Sequence, residues 1–305
     1  MTSRTPVPTF SAEVDDLRDM AVLLADSAAA HIRRRRTELG VGGGHANGTD
    51  VKSSRVDPVT VVDRESEELI RRLVAAMRPG DVVYGEEEGS GSGGGASGDV
   101  ATGKAAARWI VDPIDGTVNF LYGIPAYGVS VACEVDGVVV AGAVADVAGD
   151  RIFHAGRGRG AMLRTADGID RAIGCSRPED LAVALVATGF SYDAHRRVEQ
   201  GRLVTELLAD VRDIRRIGSA ALDLCLLAAG AVDCYYEHGL NVWDWAAGAL
   251  IAEEAGAVVD VPGLDALSDA GDVVMASAPA VADDFRAALR SRGALDPMPK
   301  TDAGD

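Results

Sequence analysis

Five acidic residues carry the first chemical signal. In "WIVDPIDGTVNF" (Trp109–Phe120), Asp112 and Asp115 stand at the end of an apolar run that reads as a buried strand. Glu86 and Glu87 close the shorter strand-like stretch "DVVYGEEE", and Asp244 follows Trp243 at the start of a helical pattern. Singly, each has an ordinary explanation: Asp-Gly makes turns, strand-end acids are solvated, and an acid in the first helical turn favours the dipole. Together they point to a positive partner, because a lone charge at the end of a hydrophobic strand is expensive. Hard divalent cations gather carboxylate and carbonyl oxygens and accept few nitrogens or thiolates, and Mg²⁺ fits that donor set. The five histidines form no H-x-x-x-H or H-E-x-x-H pair, which disfavours zinc, and His154 and His238 read as structural or surface residues.

Other devices are missing. No G-x-x-x-x-G-K-[ST] and no G-x-S-x-G occurs. A G-x-G-x-x-G match at Gly89, Gly91 and Gly94 lies in a Gly/Ser tract with no helix directly after it, so it reads as a loop. The formal charge of −17 and pI of about 4.7 argue against a nucleic-acid surface. A small anionic substrate remains compatible, provided bound metal inverts the local sign. The N-terminus lacks a secretory pattern and no apolar run reaches membrane-spanning length, so a cytoplasmic protein without membrane contact is expected. Cys133, Cys175, Cys225 and Cys234 are scattered without C-x-x-C pairing and read as reduced, structural thiols.

The elements that must position the acids follow from periodicity. From Ser11 to about Glu38, Val14, Leu17, Ala21, Leu24, Ala28 and Ile32 form one stripe of an amphipathic helix, which ends in the solvated basic run Arg33–Arg36. A glycine-rich loop (residues 40–50) and a second helix (Asp63–Met77) follow. Between Gly128 and Arg164, β-branched runs separated by Asp136-Gly137 and Gly149-Asp150 predict an antiparallel meander. After about Asp180, strands and helices alternate, with helices at about Val198–Leu208, Ser219–Ala229, Trp243–Ala255 and up to Ser291. This texture predicts two layered halves in one body, 11–180 and 181–293, with a frayed tail at 294–305.

"GEE" (Gly85–Glu87), "DPIDGT" (Asp112–Thr117) and "WDWAAG" (Trp243–Gly248), in that order, resemble the inositol monophosphatase family of magnesium-dependent, lithium-sensitive phosphatases. "KSSRVDPVTVVD" (Lys52–Asp63), "IGSAALDLC" (Ile217–Cys225) and "DCYYEHG" (Asp233–Gly239) extend the match over roughly residues 12 to 292, and the bacterial members look most similar. The resemblance implies an α/β fold, a layered αβαβα sandwich with an antiparallel half and an alternating half. It implies metal ligation by Glu86, Asp112, Asp115, Asp244 and the Ile114 carbonyl, and a metal-activated water oriented by Glu86 and Thr117, with Asp63 bonded to Thr117. Phosphate would meet the backbone of Gly116 and Thr117; Gly218, Ser219, Ala220 and Glu237 would contact the polyol, and Lys52 would belong to a mobile loop. The implied activity is hydrolysis of myo-inositol 1-phosphate by a homodimer. Fructose 1,6-bisphosphate, histidinol phosphate and 3′-phosphoadenosine 5′-phosphate are the alternative substrates, and an RNA-polymerase-associated binding role is the non-enzyme alternative.

Overall fold

The apolar stripe of the N-terminal helix sets the first layer. In the computed structural model, which describes residues 11–40, 58–87, 89–90 and 106–300, α1 spans Ser11–Leu39 and α2 spans Pro58–Met77. Val14, Leu17, Ala21, Leu24, Ala28 and Ile32 are all buried. The basic run that ends α1 is not a solvated end. Three of its four side chains are half-buried: Arg33 pairs with Asp150 at 3.2 Å, Arg35 with Glu65 of α2 at 2.7 Å, and Arg36 donates to the Tyr127 hydroxyl. The guanidinium groups tie the helix end to its neighbours, because their stems lie along apolar surface while their heads find acceptors.

Beneath these helices lies a sheet of β1 (Val82–Gly85), β2 (Gly89–Ser90), β3 (Arg108–Asp115), β4 (Gly128–Val135), β5 (Val138–Asp146), β6 (Arg151–Gly156), β7 (Ala161–Arg164) and β8 (Asp170–Ile173). Its spatial order is β2-β1-β3-β4-β5-β6-β7-β8, antiparallel throughout except for the β1/β3 pair. A short helix, α3 (Thr117–Tyr122), leaves the end of β3. Side chains alternate across the sheet. Trp109 and Val111 join the core under α1 and α2, whereas Ile110 faces the opposite core. Burial on both faces is why β3 reads as a continuous apolar run.

The remaining strands, β9 (Leu185–Thr188), β10 (Asp213–Arg215), β11 (Cys234–His238), β12 (Val258–Asp260) and β13 (Val273–Ser277), form a second sheet ordered β10-β9-β11-β13-β12. Its helices are α4 (Ala194–Leu207), α5 (Ala220–Ala228), α6 (Val242–Glu254) and α7 (Ala282–Ser291). Residues of α5 and α6 share one core with inward side chains of both sheets, and residues of α4 and α7 close a third core behind the second sheet. The layers therefore run α1/α2, first sheet, α5/α6, second sheet, α4/α7, the αβαβα sandwich. Helix α4 begins before the apolar periodicity does, because the Asp193 side chain accepts from Arg196 N at 2.8 Å and caps it.

The tail is a correction to the sequence reading. Residues 294–300 are docked, not frayed: Ala294 is buried, Met298 N donates to Gly271 O at 2.9 Å, and Lys300 N donates to Asp269 O at 2.9 Å. Its backbone finds partners in a neighbouring turn, and polar composition alone does not reveal that. The four cysteines are free thiols, three of them buried. Among the described residues, no helix is long and apolar enough to cross a membrane. Lys52 and the two glycine-rich loops lie outside the described residues, except Gly40 and the Gly89–Ser90 pair, which forms strand β2 where a loop was expected.

Candidate active site

Asp112 and Asp115 are three residues apart, and in a regular strand an odd spacing turns side chains to opposite faces. Asp112 lies opposite Ser130 and Asp115 opposite Gly128, so three steps on β3 meet two on β4. The extra residue is a β-bulge at Pro113-Ile114, and it brings both carboxylates to one cleft. Proline suits the bulge because it has no N–H to offer the ladder. Gly116 then turns the chain at φ 92°, where a Cβ would come within 2.9 Å of Ala126 O and 3.1 Å of Gly218 O. Thr117 Oγ1 donates to the Ile114 carbonyl at 3.0 Å.

Glu86 follows β1, which runs parallel to β3 and ends beside it. Asp244 comes from the other side of the cleft, in the first turn of α6. Asp244 Oδ2 accepts from Asn241 N at 2.7 Å, one arm of a reciprocal capping box that fixes the carboxylate. The preceding Trp243 packs on Tyr84 of β1 with ring centroids 5.5 Å apart, and its carbonyl accepts from Ser130 Oγ at 3.0 Å. These contacts hold the start of α6 to the first sheet. Helix α5 is tied there too: Asp115 Oδ2 accepts from Ser219 Oγ at 2.6 Å and Ala221 N at 2.7 Å, while Ser219 caps α5. Buried Asn119 completes the joint, its Nδ2 donating to Ala126 O at 2.7 Å and Ile217 O at 2.8 Å.

Loss of solvent raises the proton affinity of every one of these carboxylates. Glu86 is pushed up to about 7 by burial first and then by the charges of Glu87 and Asp115. Asp112 is held well above the carboxylate range by burial and by Glu86, Asp115 and Asp244. Asp115 rises to about 6 through burial, opposed by the donors at Ser219, Ala221 and Ala220. Asp244 is also raised well above its ordinary value, by burial and then by Asp115. Glu237, at the end of β11, reaches about 7 through burial although the Tyr235 hydroxyl donates to it at 2.9 Å. Five acids of like charge, Asp112 buried, Asp115, Glu237 and Asp244 half-buried and Glu86 exposed, form a site that a cation would stabilise.

The donor set consists of oxygens only, which suits a hard divalent ion. Among the described residues, no three acidic, histidine or cysteine side chains stand close enough together to enclose an ion by themselves. One oxygen of each aspartate is committed to a donor: Asp112 Oδ1 to Ile114 N at 3.0 Å, Asp115 Oδ2 to α5, and Asp244 Oδ2 to Asn241 N. An ion that keeps several of its waters, as Mg²⁺ does, is compatible with such a partial shell.

Glu86, Asp112, Ile114, Asp115, Gly116, Thr117, Gly218, Ser219, Ala220, Glu237 and Asp244 all line one cleft of about 560 Å³. Asp63 does not line it but is buried on α2, and its charge reaches Asp112. The cleft also takes Tyr192, Arg196, Arg216, Asn241, Asp269 and Lys300, none of which the sequence reading assigned. Asn241 had a signal, an N-cap residue three before an acid. The distant Arg196 and Lys300 had none.

A sequence model of the inositol monophosphatase family matches residues 13–293. The chain belongs to this family. It is 50% identical over 289 residues to the inositol-1-monophosphatase of Mycobacterium leprae, covering 93% of this chain and 97% of that one. The Nus factor SuhB of Pasteurella multocida is 39% identical over 212 residues, 69% of this chain and 74% of that one. Among solved structures, Mycobacterium tuberculosis SuhB superimposes with a TM-score of 0.77 at 45% identity, over 92% of this chain and 98% of that chain. The layered inositol monophosphatase fold is thus shared along nearly the whole chain.

Proposed function

We propose that this chain is a Mg²⁺-dependent phosphomonoesterase that hydrolyses myo-inositol 1-phosphate to inositol and phosphate, with water as the nucleophile. The observation that carries the reading is the convergence of Glu86 after β1, Asp112 and Asp115 of β3 and Asp244 of α6 on the cleft that also holds Gly116, Thr117 and Glu237. Phosphate monoesters resist hydrolysis because their charge repels the nucleophile and an alkoxide must leave, so positioning and charge neutralisation supply most of the catalysis. Mg²⁺ held by Glu86, Asp112, Asp115, Asp244 and the Ile114 carbonyl would neutralise phosphate charge and lower the pKa of water. The Thr117 hydroxyl gives its hydrogen to Ile114 O, so its lone pairs are turned outward to accept from an attacking water, with Glu86 as the second acceptor. The backbone N–H groups of Gly116 and Thr117 are the candidates to bind phosphate oxygens. Glu237 would read the inositol hydroxyls, with Gly218, Ser219 and Ala220 forming the adjacent wall. Two copies would pair through apolar surface around α3, where Tyr122 is 75% exposed beside exposed Leu121 and Ile124.

The test is a panel of kcat/KM values with Mg²⁺ for myo-inositol 1-phosphate, fructose 1,6-bisphosphate, histidinol phosphate, 3′-phosphoadenosine 5′-phosphate and an aryl phosphate. The inositol ester should lead, and a tenfold or greater preference for another ester would reassign the substrate. Li⁺, with half the charge of Mg²⁺, should inhibit more strongly as substrate rises; insensitivity with full Mg²⁺ dependence would remove that part of the reading. The name Nus factor SuhB on some relatives raises a polymerase-associated role. The acidic chain offers little to RNA phosphates. Capture of RNA polymerase by an Asp115→Asn variant would establish such a role separately from catalysis.

A further inference from the structure

The family match ends at residue 293, yet Lys300 lines the same cleft as Glu86 and Asp112. The segment that brings it there is built into the fold. Buried His238 donates from Nε2 to Ala294 O at 2.9 Å, and the backbone N–H groups of Met298 and Lys300 bond to Gly271 O and Asp269 O. Arg196, only 5% exposed, donates from Nε to Met298 O at 2.7 Å and from Nη2 to Asp269 O at 3.2 Å. A buried guanidinium without acceptors is costly, so Arg196 and the segment stabilise each other. Gly271 sits at φ 75°, and a Cβ there would overlap the Met298 carbonyl.

Charge indicates what the docked segment does. The chain carries −17 overall and the cleft wall is rich in acids, a setting that repels a phosphate monoester before it reaches any metal. Arg196 is committed to backbone carbonyls, and Arg216, itself exposed, lies against Gly218, where its charge lowers the proton affinity of Asp115 and Glu237. The Lys300 ammonium is exposed and stands 3.7 Å from the exposed Asp269 carboxylate, a pair that holds it weakly. We propose that Lys300 is a substrate-recruiting residue at the cleft mouth, whose ammonium offsets the acidic wall for an incoming phosphate ester and so sets KM and not kcat. This rests on the phosphomonoesterase reading above.

The test uses full-length Lys300→Ala, Lys300→Arg and Gly271→Ala, with kcat and KM on myo-inositol 1-phosphate and a calorimetric Kd for inorganic phosphate, all with Mg²⁺. Lys300→Ala should raise KM and the phosphate Kd about two- to fivefold and leave kcat within about twofold. The difference should shrink at high salt, Lys300→Arg should restore the parent values, and Gly271→Ala, which displaces the segment, should reproduce the alanine effect. Unchanged KM and Kd in Lys300→Ala, or a loss confined to kcat, would overturn the proposal. If the parent hydrolyses no ester, the phosphatase reading fails, and phosphate binding alone decides: a Kd that depends on Lys300 upholds the recruiting role. A Kd that does not, or no binding at all, ends it.

Discussion

The two sides of the cleft are built differently. On the side of the eight-stranded sheet, Glu86 and Asp112 come from the ends of two adjacent strands, and burial and then the Glu86 charge raise the proton affinity of Asp112. On the side of the five-stranded sheet, Glu237 is bonded by Tyr235 and Asp244 is bound into the start of α6. The first side sets its acids at strand ends, Asp112 buried within β3 and Glu86 exposed just after β1. The second supplies each acid with a local donor, although burial and the Asp115 charge still raise both. Asp115 belongs to both, rising from β3 and accepting donors from α5. A site that keeps like charges close is costly to the apo protein, and such cost is common where a cation is meant to sit.

That contrast is broken most severely at Asp115. Asp115→Asn should lower kcat/KM by about three orders of magnitude on every ester, the scale of removing a preorganised electrostatic group. The amide oxygen can still accept from Ser219 and Ala221, so the metal-free Tm should stay the same or rise. Circular dichroism beside a steady-state assay checks both; near-normal activity in saturating Mg²⁺ would mean that the first side is not the chemical side.

Glu237→Gln should separate the two roles. A hydrogen bond to a charged group contributes about 1.5 to 3 kcal/mol, so kcat/KM for the inositol ester should fall about 10- to 100-fold and that for an aryl phosphate far less. Equal losses on both esters would erase the division into chemistry and recognition.

A pH series on metal-free protein sharpens the comparison further. Glu86 moves from 4.5 to about 7 on folding and Asp115 from 3.8 to about 6, so the folded state binds more protons than the unfolded one between those limits. Their stabilising contribution is complete below the unfolded values and is lost as pH rises through the folded ones. The metal-free Tm should therefore be lower by a few degrees at pH ~8 than at pH ~5, and Mg²⁺ should raise it more at the higher pH. A metal-free Tm that does not fall as pH rises would contradict the raised proton affinities of Glu86 and Asp115.

The smallest expected effect is at the joint. Ser219→Ala removes the cap of α5 and one donor to Asp115, a cost of about 1 kcal/mol in urea unfolding. It should lower kcat several-fold because Asp115 loses its orientation. A stability loss with kcat untouched would reduce Ser219 to a cap.

Much of the site was legible in the sequence, for a physical reason. Acids at element ends, turn dipeptides and glycine-bounded strands are local patterns, and so Glu86, Asp112, Asp115 and Asp244 could be singled out before any contact was known. The β13 strand and α6 were readable for the same reason, since each carries its own periodicity. Helix α3 and strand β8 were not, because six- and four-residue elements hold too little pattern.

The chain's local chemistry by itself determined the family, the acids at element ends and the order of the longer elements. Tertiary structure alone decided which acids share a cleft. The bulge at Pro113-Ile114 turns Asp112 and Asp115 to one side, and the bonds from Ser219 and Ala221 bring α5 across from the other half. It also decided the fate of the tail, where polar composition predicts fraying but buried Arg196 needs the Met298 carbonyl and thereby draws Lys300 to the cleft. Spacing along a chain records local preference. Which distant donor satisfies a buried charge depends on packing between elements, and no local pattern encodes it.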